Sequence, residues 1–336
     1  MHDNKLLHII RMHYDRNGPR KAMGRGSTNP WEPHFYLVRR FLGDVDLAII
    51  FNTKRCRFQC RFCNLPAKST RLEVSGVDIE RQFANVINRT RTAIGILDRL
   101  TLANEGSIFD ADTFPPDSLS RIVQSISALP GLSRLVFETR LEFVDRSRLD
   151  ELRQLSGGKT LDILTGFETH TPRIRDRVLG KREPLSAFLL GLDRVAEASA
   201  CLTAYVLFKP DPHMSDEDAI VEAEQSICFL EEHCRARDVP LTVRLNPMYA
   251  ARGTQWEKDA EEAGYSAPRL SDVLALARKA SARGVPVYLG LTSEGLASED
   301  KTFRSREDFS NALLKSSILW NRVRQADAGR SEGNAA

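Results

Sequence analysis

From residue 44 onward the sequence alternates short β-branched runs with longer amphipathic ones, and this alternation limits the fold more than any other feature. "DVDLAIIF" is followed by the helix-patterned "VDIERQFANVINRTRTAI", then by "RLTLAN", "PDSLSRIVQSISAL", "RLVFE", "RSRLDELRQL" and "LDILTGF". The series continues with "PLSAFLLGLDRVAEAS", "LTAYVLF", the long "SDEDAIVEAEQSICFLEEHCRARD", "LTVRLN", "LSDVLALARKASARG" and "VPVYLGL". Strands separated by helices of ten or more residues run parallel, because a crossover of that length returns the chain to the same end of a sheet. Six or seven such units predict an α/β protein, a partial (β/α)6 TIM-like barrel. Ser215 before "DEDAI" is the expected N-cap of the long helix, and Gly284 after "KASAR" the expected C-cap of a later one.

The pattern divides the chain into four expected segments. Residues 1–43 read as a basic N-terminal extension, with Arg16, Arg20, Lys21, Arg25, Arg39 and Arg40 and little apolar periodicity. Residues 44–292 form the barrel. Residues 293–324 are a C-terminal segment whose "SREDFSNALLKSSILWNRV" packs a helix on the barrel, and 325–336, "QADAGRSEGNAA", lacks large apolar residues and reads as a disordered tail. The longest apolar runs, such as "LAII" and "AFLLGL", are far below the roughly 20 residues that span a bilayer. "MHDNKLLHIIRMH" has no apolar signal stretch, so a cytoplasmic, membrane-free protein is expected. Charges nearly cancel, 48 Lys+Arg against 45 Asp+Glu, which gives no basic stripe for a nucleic-acid backbone.

Half of the six cysteines sit in one stretch, "FNTKRCRFQCRFCNLP", at the spacing C-x3-C-x2-C: Cys56, Cys60 and Cys63. The loop follows a barrel strand directly, at the C-terminal end where the loops of β/α barrels converge. Three thiolates there serve a zinc site, an iron–sulfur site or no metal at all. Structural zinc takes four protein ligands, normally as two Cys/His pairs, and no second pair occurs. Cys201, Cys228 and Cys234 read as ordinary thiols, and His2, His8, His13, His34, His170, His213 and His233 show no pair at metal spacing. A [4Fe-4S] cluster held by three cysteines leaves one iron open to a further ligand.

The cysteine spacing, with the aromatic Phe62 just before the third cysteine, strongly resembles the radical S-adenosylmethionine (radical SAM) superfamily. The resemblance runs from about Asp44 to "VPVYLGL". It implies a [4Fe-4S] cluster on Cys56, Cys60 and Cys63, S-adenosyl-L-methionine as second cofactor, and a reducing electron donor of flavodoxin or ferredoxin type. In "ANEGSIF", Asn104, Glu105 and Gly106 stand where the family has a Gly-Gly-Glu-like turn that receives the SAM amino group. "VFETRLEFV" looks like the "ETRPD" segment of the branch containing the Elongator catalytic subunit, with Leu141 in place of proline. There Glu138, Arg140 and Glu142 alternate and are expected to project together into the barrel, the first two toward SAM and Glu142 toward substrate. In "TGFETHTPRIRDRVLGKRE", Glu168 matches the family position that meets the SAM ribose and Lys181 the one that reaches the methionine carboxylate. Arg173, Arg175 and Arg177 read as a solvated helix face.

Two later strand ends, "VLFKPDP" and "VRLNPMY", place Lys209, Arg244, Asn246 and Tyr249 at the expected barrel mouth, Asn246 toward adenine and the others toward substrate. The function these readings imply is a radical SAM enzyme of natural-product biosynthesis, initiating a transformation such as C–C bond formation on a small, polar, nucleoside- or sugar-phosphate-type substrate. The alternatives are a tRNA-modifying radical SAM enzyme and, from another class, a non-catalytic zinc or redox-sensing protein.

Overall fold

The computed structural model describes residues 29–65, 74–251, 253–290 and 311–325 of the 336-residue chain. The expected tail, all but its first residue, and the lysine and arginines at 16–25 lie outside them. A single eight-stranded sheet in the order β1 to β8 organises the chain. Strands β2 (Asp44–Phe51), β3 (Arg99–Asn104), β4 (Arg134–Glu138), β5 (Thr160–Glu168), β6 (Cys201–Phe208), β7 (Leu241–Pro247) and β8 (Val287–Leu289) are all parallel. This is the partial barrel that the alternation predicts.

Strand β1 (Phe35–Phe41) is added to it antiparallel to β2, with Phe35 opposite Ile50 and Phe41 opposite Asp44. The expected boundary at 43/44 therefore falls in the β1–β2 turn, and the N-terminal segment contributes a strand. Its basic and aromatic composition concealed the period of two. Arg39, read as part of a basic extension, is instead buried, its Nε donating to Asp46 Oδ2 at 2.8 Å.

The crossovers carry α1 (Gly76–Thr90), α2 (Pro116–Ile126), α3 (Arg146–Leu155), α4 (Leu185–Glu197), α5 (Asp216–Arg235), α6 (Gln255–Glu262) and α7 (Leu270–Ala282). Ser215 accepts a hydrogen bond from Asp218 N at 3.0 Å and caps α5, while Gly284 (φ +85°) follows α7 in the left-handed conformation that glycine favours. The outward face of each strand is aliphatic: Leu47, Ile49, Leu100, Leu102, Leu161, Ile163, Leu202, Val243 and Val287 are buried in one core with the helices. At roughly 25 cal/mol per Å² of apolar surface, this layer is the main stabilising contribution.

The inward face obeys the same period of two with polar residues. Asp46, Arg99, Asp162 and Thr203 form a buried floor, with Arg99 Nη1 donating to Asp162 Oδ2 at 3.0 Å and Thr203 Oγ1 to the same carboxylate at 3.0 Å. Two residues further along each strand the wall opens on a cavity.

Among the described residues, β1 and β8 do not pair with each other, and the sheet is open there. Helix α8 (Asn311–Arg322) occupies the gap. Its Asn321 side chain bonds both Leu289 N and Leu289 O at 2.7 Å, Asn321 O accepts from Leu42 N at 2.8 Å, and Trp320 Nε1 donates to Val287 O at 2.8 Å. An amide side chain is suited to this, because one group offers both a donor and an acceptor to an open strand edge. Among the described residues no helix is long and apolar enough to cross a membrane.

Candidate active site

The cavity, of about 350 Å³, runs from the C-terminal rim of the strands into the barrel. Cys56, Cys60 and Cys63 all line it, and all six cysteines of the chain are free thiols. Burial pushes each of these three thiols above its ordinary value, Cys63 most strongly. A zinc ion would require donors converging on one point at about 2.0–2.3 Å, and among the described residues no group of three or more His, Cys, Asp or Glu does so. The three thiols share the wall of one cavity.

The loop carrying them is stitched from outside. Arg61 N donates to Leu179 O at 2.8 Å, Arg61 O accepts from Trp256 N at 3.0 Å, and Arg61 Nη2 meets Asp259 Oδ2 at 2.6 Å. Phe62 packs against Ile174, Leu179, Leu207, Met248 and Trp256 and also faces the cavity. The Arg140 guanidinium lies 3.8 Å from the Phe58 ring and donates to Lys181 O at 2.9 Å and Arg182 O at 3.3 Å, so it ties the cysteine loop to the segment after β5.

The turn after β3 is pressed against the same loop. Asn104 Oδ1 accepts from Gly106 N at 3.0 Å, and its Nδ2 donates to Thr53 Oγ1 at 3.2 Å and Thr113 Oγ1 at 3.3 Å. Its side chain thus shapes the turn. A Cβ on Gly106 would stand 3.2 Å from Cys56 Cβ, tighter than an ordinary contact, so a larger residue here would push the turn and the cysteine apart by a few tenths of an ångström. Glu105 pairs with His34 Nε2 at 2.9 Å. That partner was missed, because His34 stands alone in the sequence and only β1 brings it to the turn.

Strand β5 ends irregularly. Its register with β6 shifts between Gly166 and Glu168, and Glu168 adopts φ +71°. A non-glycine residue held in the left-handed region is strained, and such strain is concentrated at functional sites. The Glu168 carboxyl is buried, which pushes its pKa up, with Lys181 Nζ 3.8 Å away opposing that shift. Lys181 also meets Glu183 Oε2 at 3.3 Å. A Cβ on Gly166 would lie 2.2 Å from Glu168 Oε1 and 3.2 Å from Lys181 Nζ, so glycine keeps open the cradle between these charges.

Arg175 corrects the solvated-face reading. It is 1% exposed, bonds the carbonyls of Phe167 and Thr169, and meets Glu183 Oε2 at 2.9 Å, fixing the strained strand end from behind. A π-helical turn, Ile174–Val178, rotates it inward off the face that a regular helix would present.

Of the remaining sequence candidates, Glu138, Arg140, Arg244, Asn246 and Tyr249 line the cavity. Two do not. Strand β4 stops at Glu138 and Leu141–Phe143 is a 3-10 turn, so Glu142 leaves the expected alternation and instead pairs with Arg140 Nε at 2.9 Å. Lys209, at φ +65°, points away to Asp216 Oδ1 at 2.7 Å and Ser266 O at 3.1 Å. Inside the barrel, Thr101 and Tyr205 line the cavity without having been singled out, and so does Arg39, which the sequence offers only as one of the basic residues of the N-terminal segment.

No family model matches the sequence. The archaeosine synthase subunit beta of Methanosarcina acetivorans is 20% identical over 300 residues, covering 82% of this chain and 84% of that protein. Its counterpart from Thermococcus kodakarensis is 21% identical over 211 residues, 63% of each chain, so the match spans under two thirds of that relative. Among solved structures, HydG, a maturase of the [FeFe]-hydrogenase, matches with a TM-score of 0.54 at 13% identity, covering 85% of this chain and 56% of HydG. The chain has the fold of the radical SAM enzymes.

Proposed function

We propose that this chain is a radical SAM enzyme, with a [4Fe-4S] cluster on Cys56, Cys60 and Cys63 and S-adenosyl-L-methionine in the adjoining cavity. The observation that carries the reading is the convergence of three free thiols, the Gly106 turn and the Glu168–Lys181 cradle on one cavity at the C-terminal rim of a parallel barrel. Bound there, the two groups supply one-electron reductive cleavage of SAM to methionine and a 5′-deoxyadenosyl radical. The protein's residues hold and shield. Glu168 accepts hydrogen bonds from the ribose hydroxyls, Lys181 sets its ammonium against the methionine carboxylate, and the 104–106 turn receives the amino group. Phe62, Leu65, Leu207 and Met248 exclude water from the apolar part of the cavity.

The substrate in this reading is a small polar molecule of nucleoside or sugar-phosphate type, because the cavity opens at the barrel rim, is lined by charged and polar side chains and is of small-molecule size. A second reading, a nucleoside carried within tRNA, is supported by the likeness to archaeosine synthase subunit beta over most of the chain. The electron donor is a flavodoxin- or ferredoxin-type protein. The test is anaerobic incubation of the reconstituted protein with SAM and dithionite. Formation of 5′-deoxyadenosine that is abolished by Cys63→Ala is expected, and no cleavage by the cluster-loaded protein would refute the reading. Deuterated nucleosides, sugar phosphates and tRNA then separate the two substrate readings, by which one passes its label into 5′-deoxyadenosine.

A further inference from the structure

We propose that Glu222, on helix α5, is a positioning residue for Glu168: it clamps the turn that aims the Glu168 carboxyl into the cavity, and so sets SAM affinity without touching SAM. This rests on the enzymatic reading above and on the ribose role given there to Glu168. Glu168 lines the cavity, whereas Glu222 lies behind the strand end and does not.

The turn needs holding. Thr169 N donates to Phe167 O at 3.0 Å across Glu168, whose φ is +71°. A hydrogen bond spanning one residue at positive φ defines the rare, strained form of the γ-turn. Such a conformation persists only where its surroundings over-determine it. Arg175 supplies part of the hold by bonding the carbonyls of Phe167 and Thr169.

Helix α5 supplies the rest, from one face. The Thr169 hydroxyl donates to Glu222 Oε1, the Thr171 hydroxyl to Glu222 Oε2 at 2.7 Å, and Thr171 N to Thr169 Oγ1 at 3.0 Å. Between them, His170 N donates to Ser226 Oγ at 3.0 Å, and Ser226 Oγ to Glu222 Oε1 at 3.3 Å. Further along the same face Phe229 stacks on Phe167, ring centroids 5.6 Å apart and planes within 18°. Residues 222, 226 and 229 follow the helical spacing i, i+4, i+7. One helix face thus grips the residue before Glu168 and the three residues after it.

The chemistry of Glu222 suits a clamp. A carboxylate is an acceptor on both oxygens, so it can take two threonine hydroxyls at once. A glutamine offers one acceptor and one donor, and one of the hydroxyls would have to reverse its bond. Glu222 is only 8% exposed, and a carboxylate so far withdrawn from water is costly unless its hydrogen bonds are made. Ser226, His170 and Glu222 also gather as a nucleophilic triad would, but Ser226 Oγ at 3.1 Å and Glu222 Oε1 at 3.3 Å meet the same ring nitrogen, His170 Nδ1. A triad places its two partners on different nitrogens of the base, so the cluster positions and does not attack.

The test uses the full-length protein in two states. In the metal-free state, with threonine nitrogens isotope-labelled, Glu222→Ala should speed hydrogen exchange at the Thr169 and Thr171 amides about tenfold while the Thr203 amide of β6 keeps its wild-type rate. In the cluster-loaded state, anaerobic calorimetry with SAM should show binding weakened about tenfold by Glu222→Ala, within the range by which contacting residues couple, and less by Thr171→Val. In a Glu168→Ala background, Glu222→Ala should change SAM affinity by less than about twofold, because the group it acts through is already gone. A general loosening of the fold would lower affinity in both backgrounds. Wild-type exchange rates at Thr169 and Thr171 in Glu222→Ala, or affinity losses that add in the double variant, would overturn the proposal. No SAM binding by the cluster-loaded wild type would sink the enzymatic reading instead, and the exchange rates would still decide whether Glu222 holds the turn. Should Glu222→Ala not fold, Glu222→Gln and Thr171→Val, each of which disturbs one threonine bond, carry both measurements, with exchange read at Thr169.

Discussion

The cysteine loop and the segment after β5 face each other across one cavity, yet they are built on opposite principles. Along the loop the chemistry-bearing side chains do little structural work: the thiols are free, and neighbours such as Arg61 and Phe62 make the tethers. Between 168 and 183 the charged side chains are themselves the structure, since Arg175, Glu183, Lys181 and Glu168 bond one another and the strand end. Replacing a group in the loop should therefore cost chemistry and spare the fold. Replacing one in the segment should cost both.

Arg175→Ala tests the second half of this contrast and carries the largest expected effect on stability. Removing one partner of a buried pair leaves Glu183 with Lys181 at 3.3 Å in place of two cations, takes the tie from the Phe167 and Thr169 carbonyls, and should cost about 3 kcal/mol, the lower end for a broken buried pair, read from denaturant midpoints. A loss under about 1 kcal/mol, as for an exposed pair, would return Arg175 to the solvated face assigned from sequence. Lys181→Ala and Glu168→Ala should each weaken SAM binding by about 1–3 kcal/mol, the value of a charge-assisted hydrogen bond, with the cluster retained. Unchanged SAM affinity in both would remove the segment's role in holding the cofactor.

Acid should act on the same network. Burial alone would raise the Glu183 pKa, but the charges of Lys181, Arg140 and Arg175 hold it below the ordinary 4.5. A carboxyl depressed in the folded state adds stability above its unfolded value and loses it as pH falls through the folded one. The wild type should thus lose stability below about pH 4.5 more steeply than Glu183→Gln, a slope measured by melting at stepped pH. Parallel curves would show that the network does not titrate with folding. The smallest effect is expected in the loop: Cys56→Ala, Cys60→Ala and Cys63→Ala, compared without metal, should each change stability by less than about 1 kcal/mol, since they remove a small, incompletely buried side chain. A larger loss would mean that the thiols also hold the fold.

The contrast also explains what was legible in the sequence. The sheet could be read from strand β2 onward because buried parallel strands leave long aliphatic runs, and the placing of Cys56, Cys60 and Cys63 at one cavity could be read because a short loop at a strand's C-terminal end keeps its residues together at the rim. Strand β1 was hidden because "FYLVRRF" alternates Arg39 into the barrel against Asp46, and a buried arginine looks like a surface one until its partner strand is known. Arg175 was hidden for the same reason, compounded by a π-turn that no periodicity reveals. Glu142 and Lys209 were misplaced because the strands end earlier, or turn more sharply, than the alternation of charges implied.

The most direct measurement is the metal content after anaerobic reconstitution with iron and sulfide. About four irons per wild-type chain are expected, held by three thiolates, and none in the Cys56/Cys60/Cys63→Ala triple variant, which should melt close to the metal-free wild type. A full cluster in the triple variant, or stoichiometric zinc and no iron in the anaerobically purified wild type, would contradict the account.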